Sequence, residues 1–268
     1  NAKYGISAIV DNRAGASGTV GSEVVARSPA DGAVLLLTAT HHVINPGLFR
    51  KLPYDTKTEF SPVALIATAP NALVVNKDFP VKDVAELIAL AKKEPGKLTF
   101  SSSGVGGNNH LAGALFAEAA GIDITHAPYK GTGPALMDVI SGVITMNFSS
   151  LPPAVSQIKG GRLKALAVTG NKRVSSLPDV PTLKEQGVDV AVTGWHGLFA
   201  PPKTPDAILD RIYKEAAIAM KEAKYTEALA KDGLELPPAR TRAEFAKYVE
   251  DEHAFWGKKL KALNIQAE

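Results

Sequence analysis

The sequence predicts an α/β architecture with mainly parallel strands, and three observations carry that expectation. Strand-like and helix-like segments alternate at βαβ spacing through the middle of the chain, from Leu98 to Thr169. The run Val34 to Thr38 is almost continuously apolar, as a strand covered on both faces would be. Two glycine-rich stretches, around Gly15–Gly21 and Gly104–Gly107, each stand between a strand pattern and a helix pattern, where open sheets place their ligands.

Taken in order, Ile6 to Val10 reads as a short strand, and Ser22 to Arg27 as a helix after the glycine series Gly15, Gly18, Gly21. Pro29, Asp31 and Gly32 make a turn before the strand Val34–Thr38, and Ala72 to Asn76 is the next strand. Helical spacing of Val84, Leu87, Ile88 and Ala91 predicts a helix over Val81–Lys93, stopped by Pro95-Gly96. The alternation then runs strand Leu98–Ser102, helix Asn109–Ala120 closed by Gly121, strand Ile124–Ala127, helix Gly133–Ser141 and strand Val143–Phe148. A short helix follows Pro152-Pro153 to Lys159, and Leu163–Thr169 is a further strand. From Pro205 to Leu263 the pattern is helical, with Ile208, Ile212 and Ala216 on one face and many Lys and Glu on the other.

With 268 residues the chain is long enough for one large or two modest domains. It has no cysteine, which removes disulfides, thiolate nucleophiles and Cys-based metal sites. A net charge of +3 from 30 basic and 27 acidic residues, without basic blocks or interleaved aromatics, argues against nucleic-acid binding. The longest strongly apolar run, Ala33–Leu37, is strand-sized, so no membrane insertion is expected. Asn1–Gly5 lack the regions of a signal peptide.

Three loops hold the chemistry. Ser101-Ser102-Ser103-Gly104-Val105-Gly106-Gly107-Asn108 combines hydroxyls with glycines at a helix start, a combination suited to a carboxylate or phosphate. Arg13 to Gly21 has the spacing GxxGxxG and not GxGxxG, which argues against a dinucleotide site; turn and ligand contact are both open for it. Thr38-Ala39-Thr40-His41-His42 supplies adjacent histidines whose spacing does not chelate, so no metal is expected. The enzyme alternative is a serine-type hydrolase using Ser103 with a histidine, although the GxSxG elbow is absent.

Several strings, in order, resemble the solute receptors of tripartite tricarboxylate transporters, the Bug or TctC-type family. They are Val10-Asp11-Asn12-Arg13-Ala14-Gly15 with Gly18 and Gly21, Ala30-Asp31-Gly32, Asn45-Pro46, and Leu52-Pro53-Tyr54-Asp55. Ser103-Gly104-Val105-Gly106 with His110, Tyr129-Lys130-Gly131 with Pro134, Leu177-Pro178-Asp179-Val180-Pro181-Thr182, Trp195 to Pro201 and Thr204-Pro205 continue the series. The resemblance implies a type II periplasmic binding fold of two α/β domains, 1–97 plus 196–268 and 98–195, closing on a small organic carboxylate in the cleft between them. It further implies delivery to membrane permease subunits, a periplasmic location, a monomer, no catalysis and no cofactor. The family pattern has a strand, a Pro/Gly-rich loop and a helix ahead of the segment that begins here at Asn1, and it more often has Asp where this chain has Ser149. Ser149 in place of an anion favours a di- or aromatic carboxylate over an amino acid.

On this map the expected site is specific. Ser102, Ser103, Gly104 and Gly106 hold the carboxylate, while Thr40 and His41 reach it from the other domain. Two or three charge-assisted hydrogen bonds, at roughly 1.5–3 kcal/mol each, are enough for micromolar binding after closure costs. Ser149 and Thr169 border the far end, Trp195 walls the cleft or marks the hinge, and His110 is read as structural.

Overall fold

The computed structural model describes residues 8–13 and 15–266. Among the described residues seven strands form one sheet; six lie in one path, β1 (Leu36–Ala39), β7 (Thr193–Ala200), β2 (Ser61–Asn76), β5 (Met146–Ser150), β3 (Thr99–Ser102) and β4 (Thr125–Pro128), and β6 (Leu163–Val168) pairs with β2 off that path. The long strand β2 is the spine. Its first part pairs with β7, ending at Pro70 opposite Thr193, and its second part pairs with β5 and β6, beginning at Asn71 opposite Ser150. Pro70 has no N–H to give to a ladder, so the change of partner falls where pairing is already weakest. The strands therefore change partners at Pro70–Asn71, well before Leu98, and change back at the start of β7, beside Trp195.

The α/β class holds, but the expectation of mainly parallel pairing does not. Among the strand ladders of the described residues only β3 with β4 and β3 with β5 are parallel; β1 with β7, β7 with β2, and β2 with both β5 and β6 are antiparallel. The reason is topological. A chain that leaves one half of the molecule along β2 and returns along β7 must run in the opposite direction beside it.

Most expected elements appear within a few residues of their predicted ends: α1 (Thr19–Ala26), α3 (Val84–Lys93), α4 (Asn108–Ala120), α5 (Thr132–Ile140) and α6 (Leu151–Lys159). Asp83 caps α3 by accepting from the Glu86 N–H, and Gly121 ends α4 in the left-handed conformation. Three departures matter. The helix α2 (His41–Leu48) occupies a stretch left unassigned, because Pro46 and the branched Val43 and Ile44 disguise it. Residues 61–71 of β2 escaped notice for the same kind of reason, being interrupted by Pro62 and Pro70. Of the expected strand Ile6–Val10, residues 6 and 7 lie outside the described residues, and Ala8–Val10 join no ladder, leaving Ile9 88% and Val10 85% exposed.

The last third forms α7 (Asp206–Ala219), α8 (Ala223–Lys231) and α9 (Arg242–Ala262). Thr241 and Glu244 form a reciprocal capping box at the start of α9. Phe245, Val249, His253, Trp256 and Leu260 recur at three- and four-residue intervals and are buried, the four apolar ones in the core that also holds Trp195 and Phe199. Burying each such side chain contributes about 1.5–3 kcal/mol, so α9 is fastened by its apolar face. Gly47 permits close approach, since a Cβ there would run into Leu260. Helix α2 is thereby clamped on α9.

Candidate functional site

The site is built around α2 and the loop before α4. Helix α4 is buried along most of its length, including Asn109, His110, Leu111, Ala112 and Phe116. Gly113 lets it approach Phe100 of β3, where any Cβ would overlap the ring. The start of α4 is thus held rigidly at the carboxyl end of β3, as open α/β sheets arrange their ligand loops. Gly106 carries φ of +75°, and a Cβ there would overlap Leu48 of α2. This contact brings the loop of one half of the molecule against a helix of the other.

Within the loop the polar groups are engaged by the protein itself. The Ser102 hydroxyl lies 2.7 Å from His126 Nε2 and 3.1 Å from the Gly104 carbonyl, and it accepts from the Gly104 N–H at 3.2 Å. The Gly106 N–H donates to His110 Nδ1 at 3.0 Å. Ser103 is exposed, and its hydroxyl donates to Asn109 Oδ1 at 3.2 Å. The two glycine N–H groups expected to grip a carboxylate are therefore turned into the loop, while Ser103 is exposed, Asn108 is half-buried, and Asn109 and His110 of the first turn of α4 are buried.

Across the seam, Thr40 is buried and accepts from the Trp195 N–H at 2.7 Å. The His41 ring sits 2.9 Å from the Thr38 hydroxyl, and burial, then His196, lowers its pKa, so it is held neutral. Gly18, at φ of +79°, makes room for that imidazole. Ala16 and Ser17 beside it also have positive φ, at 43° and 52°, and the Ser17 carbonyl is held by Asn45 Nδ2 of α2 at 3.0 Å.

The far end is more closed than expected. Thr169 is fully buried, donating to the Val192 carbonyl at 2.6 Å and accepting from the Asn71 N–H at 2.9 Å. Ser149 is fully buried and donates to the Ser150 carbonyl. Trp195 lies in the core, packed on Phe199, Phe245 and Tyr248, with its indole N–H on Glu252 Oε2 at 3.1 Å. Trp256 donates to the same oxygen. A large apolar ring with its one donor satisfied is a packing element that fastens β7 to α9.

Sequence reasoning missed Asn71, and included Asn108 in the loop without giving it a role of its own. Asn108, the first residue of α4, approaches the Ala69 carbonyl and Asn71 Oδ1 at the point where β2 changes partners. Asn71 Nδ2 and Asn108 Oδ1 are buried with no hydrogen-bond partner, one donor and one acceptor left over at the seam. The signal available in the sequence was the polar Asn71 interrupting a strongly apolar strand.

The hydrolase alternative finds no geometry in its favour. Ser103 bonds Asn109 and no histidine, and the serine that does touch a histidine, Ser102, is fully buried in this arrangement. Among the described residues no group of three or more His, Asp or Glu is placed to hold a metal ion, and no helix is long and apolar enough to cross a membrane.

A family model described as the tripartite tricarboxylate transporter family receptor matches residues 1–265. The chain belongs to this family. The receptor is 38% identical over 232 residues to an uncharacterised protein of Pseudomonas sp. strain P51, covering 86% of this chain and 69% of that one. It is 32% identical to BugT of Bordetella pertussis, over 92% of this chain and 77% of the relative. Among solved structures it resembles an R. palustris protein with adipate (TM-score 0.83, 34% identity, 99% of this chain and 90% of that one). It also resembles the periplasmic binding protein BugD (0.78, 31%, 97% and 88%) and MatC from Rhodopseudomonas palustris with bound malate (0.73, 30%, 91% and 84%). The receptor thus has the periplasmic binding protein fold, and the resemblance read from its motifs holds across the chain.

Proposed function

We propose that this receptor captures a small organic dicarboxylate or aromatic carboxylate in the periplasm, without chemical conversion, and hands it to the permease subunits of a tripartite tricarboxylate transporter. The carrying observation is the serine- and glycine-rich loop at the start of α4, pressed by Gly106 against α2 of the opposite half. A helix N-terminus beside the exposed Ser103 hydroxyl suits an anion, and two halves joined by β2 and β7 suit closure around one. The relatives solved with adipate and malate carry dicarboxylates, which supports the same ligand class here.

In this reading the two lobes are 8–70 with 194–266, and 71–193, divided where β2 and β7 change partners. The carboxylate meets Ser103 and the first N–H groups of α4, with Thr40 and His41 on the facing lobe and Asn71 and Asn108 on the floor. Opening at the seam gives access to the buried residues Ser102, Ser149 and Thr169. A thermal-shift screen of di- and aromatic carboxylates tests this: a true ligand raises the melting temperature by mass action. Stabilisation by no member of the panel, together with ester turnover abolished by Ser103→Ala, would overturn it.

A further inference from the structure

We propose that His110 is a positioning residue of the ligand loop: its neutral imidazole, stacked on His126, holds the Gly106 N–H inside the loop and thereby decides which groups at the start of α4 face the ligand. The inference rests on the carboxylate-receptor reading above, and concerns the same loop seen from behind.

The geometry is direct. The Gly106 N–H points at His110 Nδ1 at 3.0 Å, so that nitrogen offers a lone pair and the ring proton sits on Nε2. The His110 and His126 rings stack at 3.8 Å between centroids with planes 14° apart, and Phe100 stacks beneath His126 at 4.9 Å. His126 in turn reaches the Ser102 hydroxyl at 2.7 Å, which accepts from the Gly104 N–H. Each imidazole therefore governs one of the two loop glycines. Gly106 is the constrained one, with φ of +75° and the Leu48 side chain of α2 standing where a Cβ would lie.

Protonating His110 would place N–H groups on both ring nitrogens and set donor against donor at Gly106. The surroundings keep the ring neutral. It faces an open pocket of about 460 Å³ together with His126 from β4, Glu118 from α4 itself and Asp123 from the turn before β4, lined also by Leu263 and Ile265. Lys259 of α9 lies 2.5 Å from Glu118 and neutralises it. Burial, then the neighbouring His126, lowers the His110 pKa to about 4, and burial lowers that of His126.

The test compares wild type with His110→Asn, which keeps an acceptor close to the Nδ1 position but does not titrate, and His110→Phe, which keeps a ring and loses the acceptor. Adipate affinity by calorimetry at pH 7.5 should fall at least tenfold in His110→Phe and stay within about threefold in His110→Asn. Nitrogen-15 NMR should find Nδ1 of His110 unprotonated, with the Gly106 amide resonance following the acid titration of His110 in wild type but not in His110→Asn. A folded His110→Phe that binds adipate like wild type, or a Gly106 amide indifferent to His110, would overturn the proposal. If His110→Phe does not fold, the Asn variant and the NMR titration decide. If wild type binds no carboxylate, the functional reading fails, while the Nδ1 and Gly106 signals still decide whether the imidazole holds the loop.

Discussion

Two glycine loops press on opposite ends of one helix, and they do so for different reasons. At the start of α2, Gly18 in the left-handed conformation makes space for the His41 ring, within the same half of the molecule. At its end, Gly106, in nearly the same conformation, makes space for Leu48 and so sets the distance between the two halves. Equal backbone geometry thus supports a polar side chain in one place and an interlobe contact in the other. A glycine in a strand-to-helix loop is informative only with its neighbour: the helix α2 gives both loops their meaning.

The comparison can be broken most severely at Gly106. Gly106→Val adds a β-branched side chain at positive φ against Leu48, and should cost about 3–5 kcal/mol in urea unfolding and abolish carboxylate binding in calorimetry. Gly104→Val is its control, since φ is +142° but nothing lies within reach of a Cβ; it should be the milder of the two in stability. Trp195→Phe should lose about 2–3 kcal/mol through a cavity and the loss of one of the two indole donors to Glu252 Oε2, with affinity unchanged within about threefold. A large loss of affinity at normal stability would return Trp195 to the cleft wall. Gly18→Ala, facing a ring that can shift, should cost about 1–2 kcal/mol and be relieved in a His41→Ala background.

Acid should sharpen the contrast more gradually. His42 is pushed down to about 3, by burial first and then His253 and His41; His110 and His253 are lowered to about 4, chiefly by burial. These rings bind protons more weakly folded than unfolded, so below about pH 6.5 the unfolded chain takes up more protons and stability falls. The decline should continue to about pH 4, at no more than about 1.4 kcal/mol per pH unit for each ring. A melting temperature flat between pH 7 and pH 4.5 would contradict it. The smallest effect belongs to Ser103→Ala: about 0.5 kcal/mol in stability for an exposed hydroxyl, but a measurable loss of carboxylate affinity.

Much of the fold was legible from periodicity and capping. Gly121 and Asp83 marked helix ends because their conformation or side chain does a specific local job, and α3, α4 and β3 followed. What stayed hidden had its cause elsewhere in the chain. Pro62 and Pro70 look like breaks in a strand, yet β2 runs through both because β7 and then β5 and β6 pair on either side of them. Ser and Gly alone mark the loop before α4 as a candidate anion site, but which way its N–H groups turn depends on His110 and His126, which no local rule assigns.

The sequence by itself determined the α/β class, the family and the lack of cysteine thiols in this chain, because these depend on residue type and near spacing. Tertiary structure decided the antiparallel joining of the two halves, the burial of Trp195, Ser149 and Thr169, and the inward turn of Gly104 and Gly106. Those features rest on contacts between residues far apart in the chain, where packing volume and hydrogen-bond satisfaction select one arrangement among several that local propensity allows equally.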